Sequence, residues 1–494
     1  MKWLIYCLIY GFVVCSEAEE KKPNFILIVT DDQDVVLNGL VPMKNVQNLL
    51  VKQGITFQNA FTSSPLCCPS RATILSGMYA HNHKTTNNSK SGNCYGYHWR
   101  KYIEPNALPV QLQSNGYETF FAGKYLNEFN SDKVPPGWDH FYGLFGNSKY
   151  YNYRMNENGQ TKNYTNKYLT DLLDERLIDF LKGQHTSKPF FAYVAPPAPH
   201  QPFTPADRHK DAFPDVKAPR TPNFNIPSGN LDKHWLVSFS TKIPDSLLTT
   251  MDMYYRMRWQ SLLAVDEMIG NLVKTLKSID ELDNTYILFT SDNGYHIGQF
   301  AQPWDKRQPY ETDIRVPFVI RGPNIGAKQI SEAPVSLVDL VPTVKDLAGG
   351  MKYGNEDGIS IRKFMESPNV IDKSFHRQLL IQYWGEGNFK MYEPKCPFTK
   401  EDELAGCSKE AGCHCEDSRN NTYACVRHFA YRTNRIYCEF KDNEQFVEAY
   451  DLASDQYQLT NLGYEMLPIE RAMYSLSLHN MSKCEGVSCQ ISNF

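Results

Sequence analysis

The sequence lacks a strong charge of either sign, internal repeats, and any long apolar run after its first residues. Its 494 residues carry a formal net charge of -4 at pH 7, and no basic stripe, heptad pattern or repeated unit is visible. Nucleic acid is therefore not an expected partner. No stretch beyond the amino terminus approaches the ~20 consecutive apolar residues of a membrane-spanning helix, so we expect a chain that does not span a membrane.

The amino terminus is the apolar exception. A basic residue precedes an apolar run from Trp3 to Val14, and small and acidic residues follow it. This run is too short for a membrane span and has the composition of a secretory signal peptide. We predict a signal peptide over residues 1–18, with cleavage near Ser16 or Ala18, and passage into the oxidising secretory pathway.

Cysteine parity and glycosylation signals agree with that compartment. The sequence has 13 cysteines, and removal of Cys7 and Cys15 with the signal peptide leaves an odd number. An odd count in a secreted protein indicates one thiol that is free or chemically changed. Four Asn-x-Ser/Thr triplets, which also occur by chance, are candidate glycosylation sites: Asn87, Asn163, Asn420 and Asn480.

The middle of the chain alternates strand-like and helix-like segments. Four apolar runs end in polar residues: "NFILIVTDD" (24–32), "YETFFAGK" (117–124), "PFFAYVAPPAPH" (189–200) and "NTYILFTSDNG" (284–294). They lack the polar alternation of a half-exposed sheet, as buried parallel strands do. Because helix-like segments lie between them, we predict an α/β domain over residues 23–374, with a large, mixed and mostly parallel sheet between helices.

The composition changes near residue 375, after which the chain holds eight cysteines. They are Cys396, Cys407, Cys413, Cys415, Cys425, Cys438, Cys484 and Cys489. The "CHC" at 413–415 could belong to a zinc site, but disulfides are the more common use of cysteine in a secreted protein. We predict a smaller, disulfide-rich α+β domain over residues 375–494, with an antiparallel sheet that begins near "HRQLLIQYW".

Polar side chains follow all four predicted strands, at the carboxyl ends where open α/β sheets bind ligands. They are Asp31, Asp32, Lys124, His200, Asp292 and Asn293. Oxygen ligands without a cluster of Cys or His suit a hard cation such as Ca²⁺ or Mg²⁺. Taken singly, "DD" and "SDNG" are more often capping or turn sequences, but their convergence at one rim favours a metal.

The segment "CCPSRATILSG" has the form of a helix start. Pro69 suits the first helical position, where an anion meets free backbone N–H groups, and Arg71 adds a planar donor fork for a tetrahedral oxyanion. Lys124 and Lys306 could add positive charge, although each alone would more often be a solvated surface residue. His200 is either a core histidine or a proton-transfer group. Together these groups indicate phosphoryl or sulfuryl transfer.

These residues match a known family. Cys67-Cys68-Pro69-Ser70-Arg71, continued by "ATILSG", resembles the Cys-x-Pro-Ser-Arg-x-x-x-Leu-x-Gly signature of type I sulfatases, and "GYETFFAGKYL" (116–126) resembles their second signature. The likeness extends from about Pro23 to "YDLASDQYQLTNL", and segments such as "SDNGYHIGQF" look most like the N-acetylglucosamine-6-sulfatase branch. The resemblance implies an alkaline-phosphatase-like fold.

The family's mechanism implies a role for each matching residue. Cys67 would be oxidised by the formylglycine-generating enzyme to Cα-formylglycine, whose hydrated gem-diol attacks the sulfur; the alcohol leaves, and sulfate is then expelled as the aldehyde re-forms. One Ca²⁺ ion would be held by Asp31, Asp32, Asp292, Asn293 and the modified residue 67. The sulfate oxygens would be bound by Arg71, Lys124, His200 and Lys306, with His200 or Lys306 protonating the leaving alcohol.

Two further positions are candidates for binding substrate. Many family members have a histidine two residues after the signature lysine, whereas Lys124 is followed by Tyr125, Leu126 and Asn127. Asn127 is a candidate replacement for that histidine, and His296 is a candidate residue of the rim.

Conversion of Cys67 to an aldehyde would also resolve the odd cysteine count. Cys68 would then be free to pair, with Cys94 as its candidate partner, and eight cysteines would remain for the carboxyl-terminal region. The adjacent cysteines are thus interpreted as one modified nucleophile beside one structural cysteine.

The resemblance implies a sulfatase that removes the 6-sulfate of N-acetylglucosamine in glycans such as heparan or keratan sulfate, in lysosomes or outside the cell. Alternative substrates with the same chemistry are small sulfated compounds, including aryl sulfates and glucosinolates. A phosphatase or phosphodiesterase would normally have Ser or Thr at position 67. A non-catalytic glycan-binding protein would need a dead site, whereas every matched position is present. A homodimer is left open.

Overall fold

The structure is a computed structural model that describes residues 21–183, 188–227, 231–351, 354–368, 373–388, 393–400 and 403–493. The predicted signal peptide lies outside these ranges. Across the described ranges, no helix combines the length and the apolar composition that crossing a membrane requires.

A ten-stranded mixed sheet forms the centre of the larger region within the described residues. The strands up to residue 351 are β1 (Asn24–Thr30), β2 (Ile55–Phe57), β3 (Ala60–Phe61), β4 (Glu118–Lys124), β5 (His140–Leu144), β6 (Tyr153–Glu157), β7 (Gln160–Tyr164), β8 (Phe190–Ala195), β9 (Thr285–Ser291), β10 (Phe318–Arg321), β11 (Gln329–Ser331) and β12 (Val335–Ser336). The order in the sheet is β11-β2-β10-β9-β1-β8-β4-β5-β6-β7. Its centre, β9-β1-β8-β4-β5, is parallel, as predicted.

Helices cover both faces of this sheet. The α-helices of the described residues are α1 (Cys67–Ser76), α2 (Ala80–His83), α3 (Leu108–Ser114), α4 (Leu169–Lys182), α5 (Trp235–Ser238), α6 (Asp245–Ser278), α7 (Glu311–Ile314), α8 (Leu340–Leu347), α9 (Arg362–Glu366) and α10 (Pro468–Met481). Of these, α10 packs on strands of the carboxyl-terminal region instead. In β1, Phe25 and Leu27 pack in one apolar cluster with Leu75 of α1, whereas Ile26 packs in another with Val265 of α6. The strand is buried on both faces, which is why it appears in sequence as an uninterrupted apolar run.

A smaller sheet lies in the carboxyl-terminal region, as expected. Its strands and a short neighbouring hairpin are β13 (His376–Tyr383), β14 (Leu404–Ala405), β15 (Asp417–Ser418), β16 (Tyr423–Ala430), β17 (Thr433–Phe440), β18 (Val447–Asp451) and β19 (Ser492–Asn493). The antiparallel order is β18-β17-β16-β13-β19. Side chains of both sheets share one apolar cluster, in which Phe61 contacts Phe429, so the division at residues 374 and 375 stays a proposal.

Disulfides connect the cysteines of the carboxyl-terminal region in pairs close in sequence. The pairs are Cys396–Cys413, Cys407–Cys415, Cys425–Cys438 and Cys484–Cys489. Both cysteines of the "CHC" segment are therefore used in disulfides rather than in a zinc site. Cys68 is bonded to Cys94, its candidate partner.

Two helix boundaries differ from the sequence interpretation. Helix α1 begins at Cys67, so Pro69 occupies the third helical position rather than the first. The first turn of a helix has no internal acceptor for its N–H groups, so a proline is tolerated there. Helix α6 begins at Asp245, ahead of its helix-like sequence "YYRMRWQSLLAVDEMIGNLVKTLKSI" (254–279), because its amino-terminal half contributes to the apolar cluster around Met251.

Candidate active site

The parallel strands bring the predicted polar side chains to one edge of the sheet. β1 ends directly before Asp31 and Asp32, β9 ends directly before Asp292, and Lys124 is the last residue of β4. The N–H of Asp32 donates to Asp292 Oδ1 at 3.0 Å. This hydrogen bond joins the end of β1 to the end of β9. Gly123 lets β4 pass close to β8, because a Cβ there would lie 2.0 Å from the carbonyl oxygen of Ala195.

Asp31 is fully buried among positive charges. Lys124 Nζ donates to its Oδ2 at 2.8 Å, and Arg71 Nη2 lies 3.4 Å from its Oδ1. The hydroxyl of Ser148 also donates to Asp31 Oδ2. The side chains of Asp31, Lys124 and Arg71 have no exposure to solvent, so these charges depend on one another for stabilisation.

Asp32 is surrounded by the other predicted groups. Lys306 Nζ donates to its Oδ2 at 2.7 Å, and Asn293 Nδ2 donates to its Oδ1 at 2.8 Å. His200 Nε2 lies 3.7 Å from Asp32 Oδ2. The fold therefore brings Lys306, which follows β9 by a long loop, to the acidic pair at the end of β1.

Arg71 connects helix α1 to the ends of β9 and β4. Its Nε donates to Asp292 Oδ2 at 2.9 Å and its Nη1 donates to the carbonyl oxygen of Lys124 at 3.0 Å. The hydroxyl of Ser70 donates to the carbonyl oxygen of Asp292 at 2.5 Å. The first turn of α1 is thereby held against the rim, which places Cys67 beside the acidic groups.

Cys67 is buried and is the one cysteine of the described residues outside a disulfide. Its Sγ lies 3.9 Å from Asp32 Oδ1. Burial raises the pKa of the Cys67 thiol to about 12, although Lys124 and Lys306 act in the opposite direction. An unmodified Cys67 would therefore remain a protonated thiol near neutral pH, which is a poor nucleophile.

The carboxyl groups of the rim differ in their pKa values. Burial raises the pKa of Asp31, but Lys124 and the other nearby cations outweigh burial and hold that pKa well below its ordinary value. The pKa of Asp32 is lowered in the same way, with Lys306 as the leading cation. Burial raises the pKa of Asp292 to about 7. Two carboxylates are thus kept ionised at one end of the sheet.

The two candidate proton donors are in different protonation states. Burial lowers the pKa of His200, and Lys306 lowers it further, against the opposing effect of Asp32. Burial alone would lower the pKa of Lys306, but Asp32 and other acids hold it well above its ordinary value. Lys306 therefore carries a proton near neutral pH, while His200 is a neutral imidazole.

The donor set fits a hard cation. Ligand atoms of Asp31, Asp32, Cys67 and His200 lie within 4.8 Å of one another. Asp31 Oδ1 and Asn293 Oδ1 are buried and have no hydrogen-bond partner among the described residues. Buried oxygen atoms without partners are costly, and oxygen-rich sets of this kind suit Ca²⁺.

Asp292 differs from the other predicted metal ligands. Its Oδ1 accepts from the N–H groups of Asp32 and Asn293, and its Oδ2 accepts from Arg71. Both oxygen atoms of Asp292 are thus engaged, whereas Asp31 and Asn293 each keep one open oxygen.

Asn127 and His296 do not contact Asp31 or Asp32 directly, but they contact neighbours of residues that do. Asn127 Nδ2 donates to Asn147 Oδ1 at 3.3 Å, and Asn147 precedes the serine that contacts Asp31. His296 Nδ1 lies 3.0 Å from Asp313 Oδ2, and its backbone pairs with that of Asp305, which precedes Lys306.

Five residues of this region had no role assigned from the sequence. Ser148 contacts Asp31 and Ser70 contacts the end of β9. Arg307 pairs with Asp305 at 2.6 Å and with Glu386 of the carboxyl-terminal region. Ser70 and Ser148 lie in segments that resemble family motifs, but a hydroxyl has no distinctive spacing, and the pairing of residues 307 and 386 depends on the fold.

The candidate glycosylation sites differ in exposure. Asn163 and Asn480 are exposed, whereas Asn87 and Asn420 are half-buried. Glycosylation at these four positions stays a prediction.

Comparison with known proteins decides the family. The sulfatase family model matches residues 23–351. The chain is 44% identical to N-acetylglucosamine-6-sulfatase of Capra hircus over 483 residues, which cover 95% of this chain and 85% of that protein. The chain belongs to the sulfatase family. It is an enzyme that hydrolyses sulfate esters, as the resemblance implied.

Other relatives of this sulfatase agree. N-acetylglucosamine-6-sulfatase of Homo sapiens is 43% identical over 486 residues, covering 96% of this chain and 87% of that protein. A solved structure of a protein in complex with its substrate, D-glucosamine-2-N,6-O-disulfate, has a TM-score of 0.72. It covers 94% of this chain and 98% of its own, at 24% identity, and so supports the fold alone.

Proposed function

We propose that this sulfatase hydrolyses the 6-sulfate ester of N-acetylglucosamine residues in sulfated glycans. The observation that carries the proposal is a buried free cysteine, Cys67, held beside two ionised carboxylates at the start of α1. The substrate follows from relatives named for this activity, which share about 44% of residues over almost the whole chain.

Residue 67 is proposed to act as Cα-formylglycine, made by the formylglycine-generating enzyme. This group supplies a hydrated aldehyde that releases sulfate by re-forming the carbonyl. The raised pKa of the thiol supports the proposal, because an unmodified Cys67 would be largely protonated.

One Ca²⁺ ion is proposed at the acidic cluster. The open oxygen atoms of Asp31 and Asn293 support this, together with Asp32, Asp292 and residue 67. The ion would supply positive charge that stabilises an oxyanion.

The remaining cations are proposed to bind and orient the sulfate group. Arg71 and Lys124 lie beside Asp31, and Lys306 lies beside Asp32. Such fixed charges stabilise negative charge as it develops on the sulfate oxygens. The leaving alcohol needs a proton, for which His200 and Lys306 are the candidates.

We also propose that the chain passes through the secretory pathway to lysosomes or the cell exterior. Support comes from the five disulfides of the described residues, since such bonds persist in oxidising compartments. The homodimer stays a prediction.

Two measurements test the reaction and its substrate. Mass spectrometry of the peptide that carries residue 67 should show formylglycine in active enzyme, and a full complement of thiol in fully active enzyme would overturn the mechanism. Values of kcat/KM across a panel should be highest for N-acetylglucosamine-6-sulfate and its glycans. Higher values for aryl sulfates or glucosinolates would favour the alternative substrates.

Chelation tests the ion separately. Treatment with a Ca²⁺ chelator should abolish turnover and lower Tm, and added Ca²⁺ should restore both. A ligand at about 100 times its Kd stabilises the folded state by about 2.7 kcal/mol. Unchanged turnover and Tm after chelation would contradict the proposal that Ca²⁺ binds at the acidic cluster.

A further inference from the structure

One long stretch of the chain has no acidic residue. Between Asp34 and Glu104 the sequence has seven Lys or Arg residues and no Asp or Glu, although the whole chain has 51 Lys and Arg against 55 Asp and Glu. The cations are too widely spaced to form a basic stripe in the sequence. Their effect depends on where the fold places them.

The fold exposes four of these cations without acidic partners. Lys84, Lys90, Arg100 and Lys101 are exposed. None of them lies within 4.0 Å of a carboxylate in the described part of the chain. Some exposed cations elsewhere are paired, as Arg208 is with Asp171 at 2.7 Å. Unpaired cations are free to bind an anion from solution.

Asn93 connects segments that carry these cations. The N–H of Asn93 donates to the carbonyl oxygen of Lys90 at 3.0 Å. Asn93 Oδ1 accepts from the N–H groups of His98 and Trp99 at 3.1 and 3.2 Å. The loop with Lys90 is thereby fixed to the turn that carries Arg100 and Lys101. The N–H of Thr86 donates to the carbonyl oxygen of Gly92 at 2.8 Å, which joins the segment after Lys84 to the same loop.

Aromatic rings accompany the cations. Tyr97 and Tyr102 have 63% and 50% of their surface exposed. Their ring centroids are 6.3 Å apart, and Lys101 Nζ lies 5.1 and 5.2 Å from them. Such rings present an apolar face with a polar edge. A sugar ring with an anionic substituent could contact both ring and ammonium group.

This surface is anchored next to the active site. Cys94 is bonded to Cys68, with 5.9 Å between their Cα atoms, and the ring of Tyr95 packs 6.3 Å from that of Tyr125. Cys68 and Tyr125 directly follow Cys67 and Lys124 in the sequence. Three extended residues span at most about 11 Å, so the Cα of residue 97 lies within about 17 Å of the Cα of Cys68.

We propose that Lys84, Lys90, Tyr97, Arg100 and Lys101, here called the basic surface, bind the anionic glycan chain beyond the sugar that is hydrolysed. This rests on the proposed function, because it takes a sulfated glycan as substrate. Sulfate and carboxylate groups along the chain would pair with the cations, and a sugar ring would pack on Tyr97. The basic surface would thus favour polymeric over monomeric substrates.

The test compares two substrates in one triple variant, Lys90→Gln/Arg100→Gln/Lys101→Gln. The substrates are N-acetylglucosamine-6-sulfate and a heparan sulfate oligosaccharide that carries it. At low salt, kcat/KM for the oligosaccharide should fall about tenfold, mainly through KM, while the value for the monosaccharide stays unchanged. The advantage of the parent enzyme on the oligosaccharide should also decrease as salt is raised.

The control removes the same charge from the opposite edge of the sheet. Lys182, Lys274 and Lys277 are exposed near the ends of α4 and α6, which precede the amino ends of β8 and β9. The variant Lys182→Gln/Lys274→Gln/Lys277→Gln should keep the parent's kcat/KM on both substrates.

Three outcomes would overturn the proposal. The first is an unchanged ratio of oligosaccharide to monosaccharide kcat/KM in the basic-surface variant, and the second is an equal change in the control. The third is a parent enzyme that hydrolyses neither substrate, which would reject the proposed function itself. Failure of the basic surface alone leaves hydrolysis of the monosaccharide intact, so the two failures are distinguishable.

Discussion

The rim of the large sheet and the carboxyl-terminal region are held together by different forces. At the rim, Asp31 is fully buried with Lys124 and Arg71, and opposite charges stabilise one another. In the carboxyl-terminal region, disulfides such as Cys425–Cys438 connect neighbouring strands. Buried ion pairs contribute little net stability because desolvation opposes them, whereas disulfides stabilise by restricting the unfolded chain. The charges of the rim therefore serve the reaction more than stability, whereas the disulfides of the carboxyl-terminal region serve stability.

The largest effect that would separate the two regions comes from Cys67→Ala. Loss of the residue that is proposed to become the nucleophile should lower kcat by at least about 10³-fold. The free energy of unfolding should change little, because Cys67 makes no disulfide. Turnover assays and thermal melts check both, and a variant that retains normal turnover would contradict the assignment of residue 67.

A smaller loss is expected for Lys124→Met. Removal of one cation that is proposed to stabilise the sulfate oxygens should lower kcat by about 10² to 10³-fold. The variant also leaves Asp31 without its 2.8 Å partner, so Tm should fall.

The matched control for Lys124 is Lys345→Met. Lys345 is equally buried and pairs with Glu356, but it lies on α8. Its loss should lower Tm while leaving kcat of the folded enzyme near the parent value. Equal losses of kcat in the two variants would show that any buried ion pair, rather than the rim, sets turnover.

A variant of the carboxyl-terminal region should lose stability and keep its kcat, whereas the rim variants lose kcat. The double variant Cys425→Ala/Cys438→Ala opens a loop with a sequence separation of 13, which should cost about 3 kcal/mol of stability. Below its lowered Tm, kcat should remain near the parent value. Denaturant unfolding and turnover at low temperature measure the two quantities, and loss of kcat without loss of stability would contradict the comparison.

The smallest expected effect is a loss of folding stability at acidic pH, through His428. Burial, with His376 and Arg435, lowers the pKa of His428 to about 4 from an ordinary 6.5. Between these pH values the unfolded chain binds a proton that the folded chain does not, so stability falls as pH falls. The loss should be roughly 1 to 2 kcal/mol, since partial exposure reduces the effect.

The variant His428→Gln tests this pH dependence. Free energies of unfolding at pH 7 and pH 4.5 should differ less in the variant than in the parent enzyme. Parallel stability curves for the two proteins would show that His428 does not contribute to acid sensitivity.

Much of the fold could be predicted because buried parallel strands have a distinct composition. β1 and β9 are buried at every position, and their sequences show it directly. The start of α1 was placed two residues late, since proline is tolerated throughout the first turn. No sequence pattern indicated that Arg307 would pair with Glu386, because that contact joins distant segments.

By itself, the sequence determined the strand and helix pattern, the family motifs and which cysteine is proposed to react. These features are local, so periodicity and motif spacing record them. Only the tertiary structure decided which oxygen atoms of the acidic cluster stay unpaired, that Ser148 supports Asp31, and that widely spaced cations form the basic surface. Such features depend on contacts between residues far apart in the chain, and their distances and burial exist only in the folded molecule.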